Sequence, residues 1–168
     1  MADIVTIKVA TLDDEVRINQ LHHASFSSLL SSRYDDSILE QIVPIVSKVN
    51  LDLLNSGSYY MALNDQGEIV ACGGWTHENP STRKREAGIA HIRHFSTHPD
   101  WVRRGIAKKL YNYCKKEAQE VAVTKFICYS TLGAGSFYET LGFKTIKQFD
   151  LAMGEGLNFP TILMECDL

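Results

Sequence analysis

The sequence is short of several features that would assign it to a special class. Its four cysteines, Cys72, Cys114, Cys128 and Cys166, lie far apart and form no CxxC pair. That spacing argues against a zinc site and against a disulfide scaffold. No export signal opens the chain either, so reduced thiols in the cytoplasm are expected. No apolar run approaches the roughly 20 residues of a membrane span. The start, MADIVTIKVATLDDE, lacks the basic stretch and apolar core of a signal peptide. The GxxxxGK(S/T) and GxGxxG nucleotide loops and the HExxH metal pair are missing too. There is no repeat, low-complexity tract or Pro/Gly-rich linker, so residues 1–168 are expected to form one domain. At 45% hydrophobic and 22% charged, they can build a packed core.

Charge is nearly balanced overall, at −3, but unevenly spread. From Ser81 to Lys116, ten Lys or Arg face two acids (Glu86 and Asp100), a local balance of +8. The rest of the chain carries seven bases and eighteen acids. This pattern suggests one anion site in an acidic body. Nucleic acid is disfavoured as its ligand, because the segment has few of the interleaved aromatics that single strands favour. A phosphorylated small molecule fits better.

The alternation IVTIKV over Ile4 to Val9 predicts a strand. Thr11 and Asp14 form a capping box that opens a helix through about His22. Ile38, Ile42, Ile45, Val46 and Val49 predict a second helix over 37–54, kinked or broken at Pro44. After the Ser56-Gly57-Ser58 turn come strands at 59–64 and 68–76 joined by Asp65-Gln66-Gly67, and a third at 87–96. A helix over 104–121 buries Ile106, Leu110, Tyr113 and Cys114. A strand at 124–129, a short helix at 134–141 ended by Gly142, and strands at 143–151 and 161–166 complete an α/β chain, a mixed sheet flanked by helices.

The stretch HIRHFSTHPDWVRRGIAKKL is a strand feeding a tight turn into a helix. A helix N-terminus offers unpaired N–H groups and the positive end of a dipole, which suit phosphate. Gly105 permits close approach, Ala107 keeps the next inward position small, and the Arg103-Arg104 pair makes sense there if it meets an anion. A solvated basic helix face is the equally weighted alternative.

The pattern x-x-R-G-x-A after a strand and His-Pro-Asp resembles the pyrophosphate-binding motif of the GCN5-related N-acetyltransferase (GNAT) superfamily. Some thirty residues on, GAGSFYETLGF resembles its second signature. The resemblance covers residues 87–146 clearly, and extends to the preceding hairpin. It implies a GNAT-like fold with a mostly antiparallel mixed sheet, and an acetyltransferase that takes acetyl-CoA as cosubstrate and needs no metal. It places the pantetheine arm along Phe95, Ser96 and Thr97. The diphosphate falls on the amides of Arg103, Arg104, Gly105, Ile106, Ala107 and Lys108. The sequence departs from the family at Val102, where Gln or Arg is usual, and at Thr131, where Asn often touches the cofactor.

By the same resemblance, Tyr138 would protonate the leaving thiolate, and the main-chain N–H of Phe95 or a close neighbour would hold the thioester oxygen. His91 is the first choice of base, because some family members that acetylate arylalkylamines carry a histidine at the matching position. His94, Glu78 and a water chain are reserves. Strand alternation puts His91, Arg93 and Phe95 on one face and Ile92 and His94 on the other, unless a bulge shifts the register. His22 and His23 read as ordinary helix residues. The acceptor cleft would be lined by about residues 20–36 and 150–160, with Tyr34, Asp35 and Asp36 more plausibly a polar loop than an amine trap. The expected acceptor is a primary amine of a small molecule, with a protein N-terminus or lysine as the alternative. A coenzyme-binding sensor without turnover is a rival reading. A metal hydrolase on His91, His94 and His98 is a poor one, since a strand does not bring all three to one face. Neither membrane nor nucleic acid is expected as a partner, and a homodimer stays open.

Overall fold

The computed structural model describes residues 3–168. Seven strands form one mixed sheet in the order β1-β2-β3-β4-β5-β7-β6. They are β1 (Thr6–Val9), β2 (Tyr59–Leu63), β3 (Ile69–Thr76), β4 (Ile89–Thr97), β5 (Lys125–Ser130), β6 (Lys144–Ala152) and β7 (Asn158–Asp167). Every neighbouring pair is antiparallel except β4 with β5. The helices are α1 (Glu15–Leu29), α2 (Asp36–Val46), α3 (Leu51–Leu54), α4 (Ile106–Glu120) and α5 (Gly135–Thr140). A mostly antiparallel sheet flanked by helices is the fold the sequence patterns call for.

The Thr11–Asp14 box forms: the Thr11 N–H donates to Asp14 Oδ2 at 2.9 Å, closing a 3-10 turn that feeds α1. Helix α1 continues to Leu29, beyond the expected His22, because Leu21, His22 and Ser25 keep burying one face. The expected helix over 37–54 is broken. Helix α2 ends two residues after Pro44, and Asn50 starts α3 by accepting the Asp52 N–H at 2.8 Å. Between them the Val49 N–H donates to Asn19 Oδ1 on α1 at 2.8 Å.

The two faces of the sheet bury separate clusters. Helix α4 sets Ile106, Leu110, Tyr111, Cys114 and Ala118 against Tyr60, Ala62, Phe126 and Cys128. Tyr111, not the expected Tyr113, takes the core position, and Tyr113 packs edge-on against Tyr60 at 4.9 Å. On the opposite face α1 and α3 bring Ile18, Leu21 and Leu53 onto Tyr59, Met61 and Cys72. A third cluster joins Leu30, Tyr34 and Ile42 to Phe159 at the start of β7.

Candidate active site

Parallel pairing between β4 and β5 runs from Ile89↔Lys125 to His91↔Ile127 and stops there. Beyond that point β4 continues to Thr97 alongside β3, and β5 continues to Ser130 alongside β7. Two parallel strands that part in mid-sheet leave a crevice whose walls are main-chain N–H and C=O groups. Phe95, Ser96 and Thr97 form one wall. The Ser96 hydroxyl is buried without a hydrogen-bond partner.

Register skips a residue where β4 passes Gly73. Cys72 pairs with Ser96 and Gly74 with Arg93, so His94 and Phe95 both face Gly73. His94 takes up the extra residue in a left-handed conformation, φ 53°. This bulge corrects the expected faces. His91 and Arg93 stay on the α1 side, but Phe95 moves to the α4 side and packs into its cluster, where a Cβ on Gly73 would lie 2.5 Å from its ring. His94 returns to the α1 side. The Gly73-Gly74 pair inside a strand was the one sequence signal for a bulge.

His94 is locked in place. Its ring stacks on His22 with centroids 4.1 Å apart, and its Nε2–H donates to the Val46 carbonyl at 2.6 Å. The Tyr59 hydroxyl donates to the His94 carbonyl at 2.8 Å. With that proton used, His22 Nε2 must donate to the Tyr59 oxygen, 2.9 Å away, leaving buried Nδ1 without a partner. Burial and, more weakly, Arg93 push the His94 imidazole down to about 4, against the pull of the Val46 carbonyl. His22 is likewise held far below the usual imidazole range by burial and by His94. His22 is thus a central part of the bulge support rather than an ordinary helix residue, a role helix periodicity does not reveal.

His91 pairs with both Thr76 and Ile127, at the point where the strands part. It is buried, and desolvation lowers its pKa, with Arg93 adding to the effect and Glu86 opposing it. Glu78, the reserve base, is occupied by Arg85 at 3.5 Å and Arg83 at 3.9 Å. His98 lies just past β4, where its ring accepts the Asp100 N–H.

Tyr138 enters from α5 on the α4 side, its ring against Phe137 and Phe143 at 5.2 and 5.4 Å. Burial, and then the Cys128 thiol against its hydroxyl, raise its pKa well above the usual phenol range. Cys128 is the first β5 residue past the last pairing with β4, so this hydroxyl lies beside β5 at the level where the two strands part.

Past the C-terminal end of β4, Arg103 and Gly105 are both left-handed, with φ 60° and 77°, and α4 starts without a side-chain cap. The first main-chain bond across the turn is Lys109 N–H to the Gly105 carbonyl, so the amides of Ile106, Ala107 and Lys108 precede the helical ladder. Alternating left-handed residues at a helix start make a concave nest of N–H groups suited to oxyanions. A Cβ on Gly105 would meet no atom within 4 Å, so its conformation, not crowding, is what calls for glycine. Arg103 and Lys108 are exposed. Arg104 is turned aside: it pairs with Asp3 at 3.5 Å and lies 4.6 Å over the Trp101 ring.

Tyr34 is buried. Its hydroxyl donates to the Pro160 carbonyl at 2.7 Å and accepts the Leu132 N–H at 2.9 Å, and its ring stacks on Phe159. The two segments expected to line an acceptor cleft are therefore packed on each other here. Asp35 and Asp36 are exposed.

The acetyltransferase (GNAT) domain model matches residues 32–160 of this chain. The chain belongs to the GNAT acetyltransferase family. It is an N-acetyltransferase by family, and enzymes of this family use acetyl-CoA. A GCN5-related N-acetyltransferase from Rhodopseudomonas palustris superposes with a TM-score of 0.80 at 16% identity, over 100% of this chain and 98% of that one. The PaiA N-acetyltransferase from Thermoplasma acidophilum, solved with coenzyme A, gives 0.71 at 16% identity, over 98% and 99%. The ribosomal-protein-S18-alanine N-acetyltransferase from Escherichia coli gives 0.65 at 12%, over 98% and 94%. At these identities the structures speak for the fold alone. A search of curated protein sequences found no match. Among the described residues, no helix of this GNAT chain is long and apolar enough to cross a membrane.

Proposed function

We propose that residues 1–168 are a single acetyltransferase domain that moves the acetyl group of acetyl-CoA to the primary amine of a small molecule. The observation that supports this reading is the parting of β4 and β5, with Tyr138 packed beside β5 at that level and the uncapped α4 start following the far end of β4. The coenzyme fits these groups: an N–H nest for phosphates, and the free edge of Phe95, Ser96 and Thr97 for amides of the pantetheine arm. When bound, it supplies an activated acetyl thioester.

The chain's residues supply the rest. An alkylamine with a pKa near ~10 is mostly protonated at neutral pH and must lose a proton before it attacks. His91, lowered by burial and so neutral at pH 7, is suited to accept that proton directly or through water. Main-chain N–H groups near Phe95, held by the bulge, are the donors for the thioester oxygen. Tyr138 stays protonated because its pKa is raised, and it delivers its proton to the departing sulfur. The base lies on the α1 side and the acid on the α4 side, which separates the amine's proton from the thiolate's.

The test is thiol release from acetyl-CoA with polyamines, arylalkylamines, aminoglycosides, amino acids and N-terminal peptides, alongside coenzyme binding. Release with a small amine supports the reading. Release only with peptides would replace it with a protein acceptor, and binding without release from any acceptor would favour the sensor.

A further inference from the structure

A cavity of about 680 Å³ lies apart from the crevice, at the end of the sheet where β2 begins and β3 ends. Arg93, Thr76, Glu78, Arg83, Arg85 and Asp52 are among its lining residues. Its size falls within the range of small-molecule sites. Three arginines meet here, but they are not equivalent. Arg83 is paired with Asp52 at 3.4 Å and Glu78 at 3.9 Å, and Arg85 with Glu78 at 3.5 Å. Arg93 has no carboxylate within ion-pair distance among the described residues. Its guanidinium donates to the Thr76 hydroxyl at 3.0 Å, a neutral partner. Glu78 attracts it from farther off, while Arg83 repels it.

A guanidinium has five N–H donors in a fork that matches a carboxylate, and withdrawing it from water without an anion is costly. An arginine left in that condition on a cavity wall is a receptor for an anion. Its address matters as well. Arg93 is the last regular residue of β4 before the bulge, on the same face as His91 and about 7 Å along the strand from it. An anion held by Arg93 therefore lies beside His91, the proposed base, which must meet the acceptor's amine.

We propose that this cavity holds a carboxylate of the acceptor, so that the substrate is an amine that also carries a carboxylate, with Arg93 as its specificity-determining residue. The proposal rests on the acetyltransferase reading above and narrows its substrate class. It also gives the acceptor a berth other than the segments joined by Tyr34.

The experiment compares amino acids with their decarboxylated twins: phenylalanine with phenylethylamine, lysine with 1,5-diaminopentane, methionine with 3-(methylthio)propylamine. Thiol release gives kcat/KM for each, and calorimetry gives the affinity of each for the protein saturated with coenzyme A. The wild type should prefer the carboxylate member of at least one pair by 10-fold or more in either readout. Arg93→Gln should erase most of that preference, chiefly through KM, and Arg93→Lys should restore part of it. Equal use of both members, preference for the decarboxylated one, or a preference that survives Arg93→Gln would overturn the proposal while leaving the acetyltransferase reading intact. Failure to bind acetyl-CoA would overturn both. The wild-type comparison decides the matter even if the variants fold poorly.

Discussion

Tyr138 and His91 illustrate opposite uses of burial. Desolvation disfavours the charged form of each, so the phenol keeps its proton and the imidazole stays without one at neutral pH. Tyr138→Phe removes the proton donor but not the ring that packs on Phe143. We expect turnover to fall roughly 10- to 1,000-fold while the coenzyme dissociation constant stays within a few-fold of wild type. Wild-type turnover would mean that another group protonates the thiolate. His91 predicts a pH profile. A base with a lowered pKa is protonated and inactive only in acid, so kcat/KM should rise to a plateau through a midpoint below 6.5. His91→Gln should lose that acid limb, and its persistence would point to a different base. Tyr138 stood out in the sequence because its neighbours Phe137, Glu139 and Gly142-Phe143 form a signature. His94 did not, since its importance comes from a bulge and from a stack with a residue 72 positions away.

The sequence made most elements visible through their period: alternating strands, helical spacing in α4, and turns at Asp65-Gln66-Gly67 and Gly142. It hid places where tertiary contacts override local pattern. The break near Pro44 in the helix expected over 37–54 was legible, but not the bond from the Val49 N–H to Asn19 that holds the chain between α2 and α3. Strand alternation failed at His94 because two glycines on β3 let β4 carry one residue more. The turn into α4 offers a test at this scale. Gly105→Ala forces a side chain into a left-handed conformation, which costs about 1–2 kcal/mol, or else the turn must refold. Because the N–H nest depends on that turn, coenzyme affinity should fall at least 10-fold by calorimetry; an unchanged affinity would remove the turn from the site. Tyr34 offers another. Tyr34→Phe loses both bonds that tie the α1–α2 loop to Leu132 and Pro160, with an expected loss of about 1–3 kcal/mol in denaturant unfolding.

Across the molecule, the basic segment proves to be two features. Arg83, Arg85 and Arg93 line one cavity, while Arg103, Arg104 and Lys108 lie past the C-terminal end of β4. Composition reported their sum, and only folding separates them. The buried histidines likewise act together on stability. His22, His91 and His94 all have folded pKa values below the ordinary 6.5, so the unfolded chain binds more protons as pH falls. Their contribution is complete above about pH 6.5 and drains away toward about 4, where His94 titrates, and beyond. The Tm should therefore drop steadily from pH 7 to pH 4.5, and His22→Leu should flatten that slope.

The central claim is that coenzyme binds between the parted ends of β4 and β5. Hydrogen exchange with and without coenzyme A tests it most directly. The account predicts stoichiometric binding that slows exchange at the amides of residues 95–97 and 105–108. Binding with protection elsewhere, or no binding at all, would contradict it.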